Sequence, residues 1–267
     1  RKMSKSWGNG IDADSVLNCG VSGRTGSWKI RGPDGKSVNL RANKIGSECF
    51  RLWKAADAQV GDDFHINPEE IESKYFGILT KIYNVARFAS QFPFEDLRPS
   101  VVKPEDVWIL SEYDNLIKET MEDWKRIDIY SATQKVKVFL TGIFSSHWME
   151  LAKTRLYDSD SSSLWTIHSI LSGCLKIFSP VCPLFCHHLS TILYNESTIK
   201  VDMYPTPLGY DLQDRTKITQ SIVKFNTMVW KEKKSQNVSL KSSVSGIQIP
   251  EPLQDYSEGL TKMHNLV

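Results

Sequence analysis

Cysteine is scarce and unpaired in this sequence. Cys19, Cys49, Cys174, Cys182 and Cys186 are the only five in 267 residues. An odd set without framework spacing argues against a disulfide-stapled fold and for a reducing compartment. Long apolar runs are also missing, so no membrane span is expected. The N-terminus shows neither a signal-peptide core nor an initiator Met, and a chain starting at Arg1 reads as a piece of something longer. Net charge is nearly absent at +2, so any polyanion-binding surface must come from uneven placement of charge. Internal repeats, low-complexity tracts and a Ser/His/Asp or Cys/His nucleophile arrangement are lacking too. Cys182, Cys186, His187 and His188 are rich in metal-ligating atoms, but no second ligand pair accompanies them, so no bound metal is expected.

What is present is material for a core, with 40% hydrophobic and 10% aromatic residues. From Pro68 onward the spacing is helical. Ile71, Tyr75, Ile78, Ile82, Val85 and Ala89 form one apolar stripe, and Asn67 before Pro68, Glu69 and Glu70 suits a helix start. Further helices are predicted from Pro104 to about Arg126, from Ser131 to about Tyr157, and from Ser162 to Tyr194. In the last of these, Pro180 and Pro183 should kink the helix or divide it. In the third, the apolar face shifts toward Trp148 and Leu151. Long amphipathic helices joined by modest loops imply an antiparallel bundle.

Both flanks have a different texture. Ser27 to Ile30 and Ser37 to Leu40 alternate polar and apolar around a Gly-Pro-Asp-Gly turn and read as a β-hairpin. Asp12 and Asp14 suit a helix entry. After Asn195, residues 199–204 look like a short strand, a helix is predicted from about Arg215 to Lys233, and residues 238–241 and 246–250 read as two more short strands. The expected fold is therefore mainly α. Residues 1–66 would form a loop, hairpin and junction segment, 67–195 the bundle, and 196–267 a small α/β module.

The sharpest signal is Lys2-Met3-Ser4-Lys5-Ser6 followed by Gly8-Asn9. Two lysines, two hydroxyls and a permissive glycine in one loop suit the charge that builds on departing phosphates when pyrophosphate leaves ATP. This run matches the signature loop of class I aminoacyl-tRNA synthetases. The resemblance continues through Gly8-Asn9-Gly10-Ile11-Asp12, which is similar to the valyl branch. Gly46 to Trp53 resembles a Gly-Ala-Asp-Ala-x-Arg-x-Trp segment, with Glu48 in place of Asp. Lys81 to Phe88 is similar to Lys-x-Trp-Asn-x-x-Arg-Phe, and Asp106 to Ser111 to Asp-x-Trp-Ile-Leu-Ser. Phe178 to Pro183 matches a paired-proline segment. Two departures stand out: Val21 to Ile45 looks like an insertion, and His187 and His188 stand where the family commonly has two Glu.

The resemblance implies the C-terminal part of a valyl-type synthetase, with isoleucyl and leucyl relatives as rivals, in a cytoplasmic and monomeric protein. Lys2 and Lys5 would be catalytic, with Lys2, Met3, Ser4, Lys5 and Ser6 contacting ATP and Mg2+ accompanying ATP in the longer enzyme. The catalytic half and the amino-acid pocket would lie upstream, so the fragment alone should bind tRNA(Val) without charging it with amino acid. A rival from another class is a non-catalytic RNA-binding bundle.

Candidate tRNA contacts are Asn84 and Arg87, whose types also suit an interhelical polar contact. Two basic stretches add to them. One, in the hairpin region, includes Arg24, Lys29 and Arg31. The other, late in the chain, holds Arg215, Lys217, Lys224, Lys231, Lys233 and Lys234. Either could neutralise phosphates, or simply solubilise an exposed face. Trp108, Trp124, Trp148 and Trp165 could stack on bases, but their helical spacing favours the core.

Overall fold

The computed structural model describes residues 27–31, 37–41, 46–57, 71–195 and 204–267. The signature loop with Lys2, Met3, Ser4, Lys5 and Ser6, the helix entry at Asp12 and Asp14, Arg24, the helix start at Asn67 and Pro68, and most of the strand expected at 199–204 lie outside the described residues. Strands β1 (Ser27–Arg31) and β2 (Ser37–Arg41) pair antiparallel, with Trp28 opposite Leu40 and Ile30 opposite Val38, as the alternation predicts.

Helix α1 (Ser47–Asp57) leads to the bundle. A π turn (Ile71–Tyr75) opens α2 (Phe76–Ala89), where Ile71, Tyr75, Ile82, Val85 and Ala89 of the expected stripe are buried. Pro104 sits in the first turn of α3 (Pro104–Lys125), where its missing N–H costs nothing. Helix α4 (Ile129–Val138) runs through a ten-residue π segment (Phe139–Trp148) into α5 (Met149–Tyr157). The wider turn of π geometry spaces Phe139, Phe144 and Trp148 by five and four, and this is why the apolar face drifts in the sequence.

The two prolines divide the fourth predicted helix. Helix α6 (Ser161–Phe178) starts on an Asp160 cap that accepts from Ser163 N at 3.0 Å. After the break, α7 (Pro183–Tyr194) begins with Pro183 in its first turn and ends on Asn195 in the left-handed region, φ 53°. Helices α3 and α6 approach so closely that a Cβ on Gly173 would lie 1.6 Å from Tyr113 Oη, so only glycine fits there.

Helix α8 (Arg215–Ser235) packs on α3, and a 3-10 turn (Glu251–Tyr256) and α9 (Ser257–His264) finish the chain. The short strands expected at 238–241 and 246–250 are not found. Val238 and Leu240 are exposed, and the Leu240 carbonyl accepts from Lys233 Nζ at 2.8 Å instead of from a strand. A single parallel bridge, Val244 to Leu266, is all the pairing this region shows among the described residues. One continuous apolar core runs from Cys49 on α1 to Leu260 on α9.

Asp106 on α3 is fully buried and saturated. Oδ1 accepts from Trp148 Nε1 at 3.0 Å and Arg155 Nη2 at 2.8 Å, while Oδ2 accepts from Arg155 Nη1 at 2.7 Å and Ser162 Oγ at 2.6 Å. Three elements are thereby tied to the first turn of α3. Two turns on, Asp114 accepts the N–H groups of Leu208, Gly209 and Tyr210, each at 2.7 Å. Gly209 at φ +88° allows that loop to fold around the carboxylate.

A second polar network ties α9 down. His264 Nε2 donates to Asn226 Oδ1 at 2.8 Å, which orients Asn226 Nδ2 to donate to His147 Nδ1 at 3.0 Å. Both imidazoles are neutral in this arrangement. Burial pushes His264 down to about 4, helped by nearby Lys233 and His147, and burial also lowers His147. Their folded pKa values lie below the ordinary 6.5, so the unfolded chain takes up protons first as pH falls. Stability should be full above pH 6.5 and decline toward pH 4, by up to about 3 kcal/mol for His264. Urea titrations from pH 7.5 to 4.5 check this, and His264→Gln should flatten the acid limb.

Candidate nucleic-acid interface and its junction clamp

Helix α2 carries the first candidate surface. Asn84 and Arg87 are exposed, within one turn of each other, and no described residue pairs with either side chain. The helical repeat brings two further exposed side chains into line with Arg87: Phe76 at 43% and Tyr83 at 44%. Sequence reasoning missed both rings. Their signal was there, since positions 76, 80, 83 and 87 form a row off the buried stripe. An aromatic ring, an amide and a guanidinium on one solvated face can stack on and hydrogen-bond to unpaired bases.

Helix α8 carries the second. Lys224 and Lys231 are exposed beside Met228 along a shallow cleft. The other basic residues are less available. Arg215 pairs with Glu112 at 3.1 Å and Lys217 with Asp214 at 2.8 Å. Lys233, counted above among the phosphate contacts, is wholly buried and donates to the carbonyls of Leu240 and His264 at 2.8 and 2.6 Å. It closes the C-terminal turns rather than facing solvent. Lys29 and Arg31 lie on β1, apart in sequence from both helical faces. Trp108, Trp148 and Trp165 are buried, which removes them as open stacking platforms, whereas Trp124 is only partly buried. No group of metal-ligating side chains occurs among the described residues; Cys182 and Cys186 are buried, and burial pushes both thiols up.

The segments 46–53 and 178–183 meet directly. Glu48 Oε2 accepts the Phe185 N–H at 3.0 Å in the first turn of α7, capping that helix from another element. Arg51 donates to the carbonyls of Val181 at 2.8 Å and Pro180 at 3.1 Å, groups that the proline break leaves without helical partners. An anion at a helix N-terminus and a cation at exposed carbonyls both complement the backbone dipoles. Burial raises the Glu48 carboxyl pKa, and the Phe185 N–H and Arg51 oppose the rise.

The sequence matches the family described as the anticodon-binding domain of tRNA ligase over residues 106–248. The chain belongs to that family. As a tRNA-ligase anticodon-binding domain protein, it is similar over its whole length to the valine–tRNA ligase of Nanoarchaeum equitans, at 26% identity across 100% of this chain and 31% of that protein. The valine–tRNA ligases of Pyrobaculum aerophilum and Aeropyrum pernix are 25% and 24% identical, over 87% and 99% of this chain and 30% of each relative. The chain thus spans about a third of the length of these curated relatives. Among solved structures, the LeuRS of Agrobacterium radiobacter in a ternary complex with tRNA and LeuAMS shares the fold, with a TM-score of 0.55 and 14% identity over 80% of this chain and 23% of that one.

The anticodon-domain match takes in Asp106, Asp114 and α8 but not α1, so the clamp extends the packed unit beyond it. Glu48→Ala should cost about 1–2 kcal/mol through the lost cap, and Arg51→Met a similar amount through the freed carbonyls. Chemical denaturation reads both. Because the two side chains hold one turn, the double variant should cost less than the two together.

Proposed function

We propose that this chain is the C-terminal part of a valine–tRNA ligase, which joins valine to tRNA(Val) at the expense of ATP. The observation that carries the reading is similarity along the entire chain to valine–tRNA ligases, joined to a bundle that presents Asn84 and Arg87 to solvent. In this reading residues 1–66 bring the ATP-contacting loop, 67–195 grip the anticodon arm, and 196–267 brace the bundle. Lys5 meets the ATP phosphates and Lys2 supports the same charge, with Met3, Ser4 and Ser6 shaping the loop and Mg2+ accompanying ATP. Asn84 and Arg87 contact the anticodon arm, and Lys224, Lys231, Arg24, Lys29 and Arg31 neutralise phosphates. The fragment binds tRNA without aminoacylating it, as a cytoplasmic monomer when part of the longer enzyme. No described helix is long and apolar enough to cross a membrane.

Filter binding of the chain to tRNA(Val) transcript at low salt tests the reading. Arg87→Ala and Asn84→Ala should each weaken binding roughly five- to tenfold without changing the circular dichroism spectrum. Affinity should fall steeply with salt. Absence of binding at low salt would contradict the proposal. For specificity, the longer gene product should charge tRNA with valine in preference to isoleucine or leucine, and Lys5→Ala should abolish most of that activity.

A further inference from the structure

A cleft of about 740 Å3 opens where α1, the turn between α3 and α4, and the Pro180–Val181 turn meet. Arg51, Lys54 and Arg126 line it against a single acid, Asp128, whose Oδ1 is engaged by Ser131 N at 3.0 Å as the cap of α4. Arg126 shares the Asp123 carboxylate, at 2.8 Å, with Lys135, at 2.6 Å, and Lys135 also pairs with Glu119 at 3.6 Å beside the rim. Three rings, Phe50, Trp124 and Tyr130, give the walls flat apolar faces.

The carbonyls of Pro180 and Val181 already accept from Arg51, and Asp128 Oδ1 caps α4. Three cations against one acid leave the lining of the cleft net positive. A nucleotide brings a planar base and a phosphate rich in acceptors, which suits aromatic walls and a cationic rim. Ile127 is 77% exposed on the lip of the cleft, at φ 60°, where the N–H groups of Ile127 and Asp128 donate back to the carbonyls of Trp124 and Asp123 and close the C-terminus of α3.

We propose that the cleft between α1 and the α3–α4 turn holds a nucleotide of the bound RNA, its base against Trp124 and Tyr130 and its phosphate against Lys54 and Arg126. The inference rests on the RNA-binding reading above and adds a second contact to it. The cleft lies at the C-terminal end of α3. Arg87 lies toward the other end, where Phe88 and Phe92 meet Tyr157 at 6.3 and 5.3 Å and Ser162 Oγ accepts from Lys103 N. A helix of 22 residues at 1.5 Å per residue separates the two sites by on the order of 30 Å. One RNA spanning both would be held along the length of the bundle.

The test compares the full chain with Lys54→Glu/Arg126→Glu, using tRNA(Val) transcript, uridine 5′-monophosphate and a Glu-rich peptide as probes. The double variant should lose at least tenfold in tRNA affinity at low salt. Its slope of log affinity against log salt should shrink by roughly 0.7–0.9, the share of one phosphate contact. Lys54→Gln/Arg126→Gln, a milder change, should give an intermediate loss with an unaltered melting temperature. Transcript carrying 4-thiouridine should cross-link to the peptide spanning residues 124–131. An unchanged slope and no such cross-link, while Arg87→Ala still weakens binding, would overturn the cleft proposal alone. Uridine monophosphate binding as tightly as tRNA would overturn it in favour of a free-nucleotide site. Tight binding of the Glu-rich peptide, lost in the Lys54/Arg126 variant while tRNA binding is not, would overturn it in favour of a protein-docking surface. Failure of the wild-type chain to bind tRNA would instead sink the function proposed above, and the cleft proposal with it.

Discussion

One buried carboxylate organises this molecule. Asp106 sits in the first turn of α3 with all four of its hydrogen bonds made inside the protein, to the indole of Trp148, both terminal nitrogens of Arg155 and the hydroxyl of Ser162. A charge taken out of water is tolerated only when matched this fully. The match fixes the start of α3 against α5 and α6 at once. From that fixed end, Asp114 two turns along gathers the loop at 208–210, and Glu112 engages Arg215 and Thr219 at the start of α8. A single helix thus holds the bundle and its C-terminal brace through acidic side chains at positions 106, 112 and 114.

Rigidity of this kind has a functional meaning. Arg87 and Tyr83 project from α2, whose other face is buried in the same core. Side chains on a fixed helix keep their spacing, so in the proposed RNA-binding role bases would be met at set positions rather than by loops that must first be ordered. The clamp of Glu48 and Arg51 extends the fixed body to α1. Both clamp residues act on backbone groups that the proline break exposes, so the break in the fourth helix doubles as the docking point for α1.

Much of this was legible in the sequence because the signals were periodic or chemically restrictive. The stripe from Ile71 to Ala89 and the Pro104 helix start follow from helical spacing and from proline's missing N–H. The division at Pro180 and Pro183 has the same cause. Asp106, Glu48 and Arg51 lay within motifs that resemble those of class I synthetases, although the motifs did not say that the 46–53 and 178–183 segments touch. What was hidden depended on tertiary context. Lys233 reads as a surface cation and is buried because two carbonyls from distant turns converge on its ammonium group. Residues 238–241 and 246–250 have strand-like alternation but no neighbouring strand to pair with, and β structure needs that partner. The π segment showed itself only as a drifting apolar face. Phe76 and Tyr83 lie off the buried stripe of α2, so the apolar periodicity that marks the core does not mark them.

The dependence of the bundle on its buried carboxylate is most directly measured by a double-mutant cycle on Asp106 and Arg155, using Asp106→Asn, Arg155→Met and the pair, with unfolding free energy as the readout. The arrangement predicts that each single change costs about 3 kcal/mol or more and that the two are coupled by at least about 1.5 kcal/mol, because either one strands its buried partner. Single losses below about 1 kcal/mol, or strictly additive effects, would contradict it.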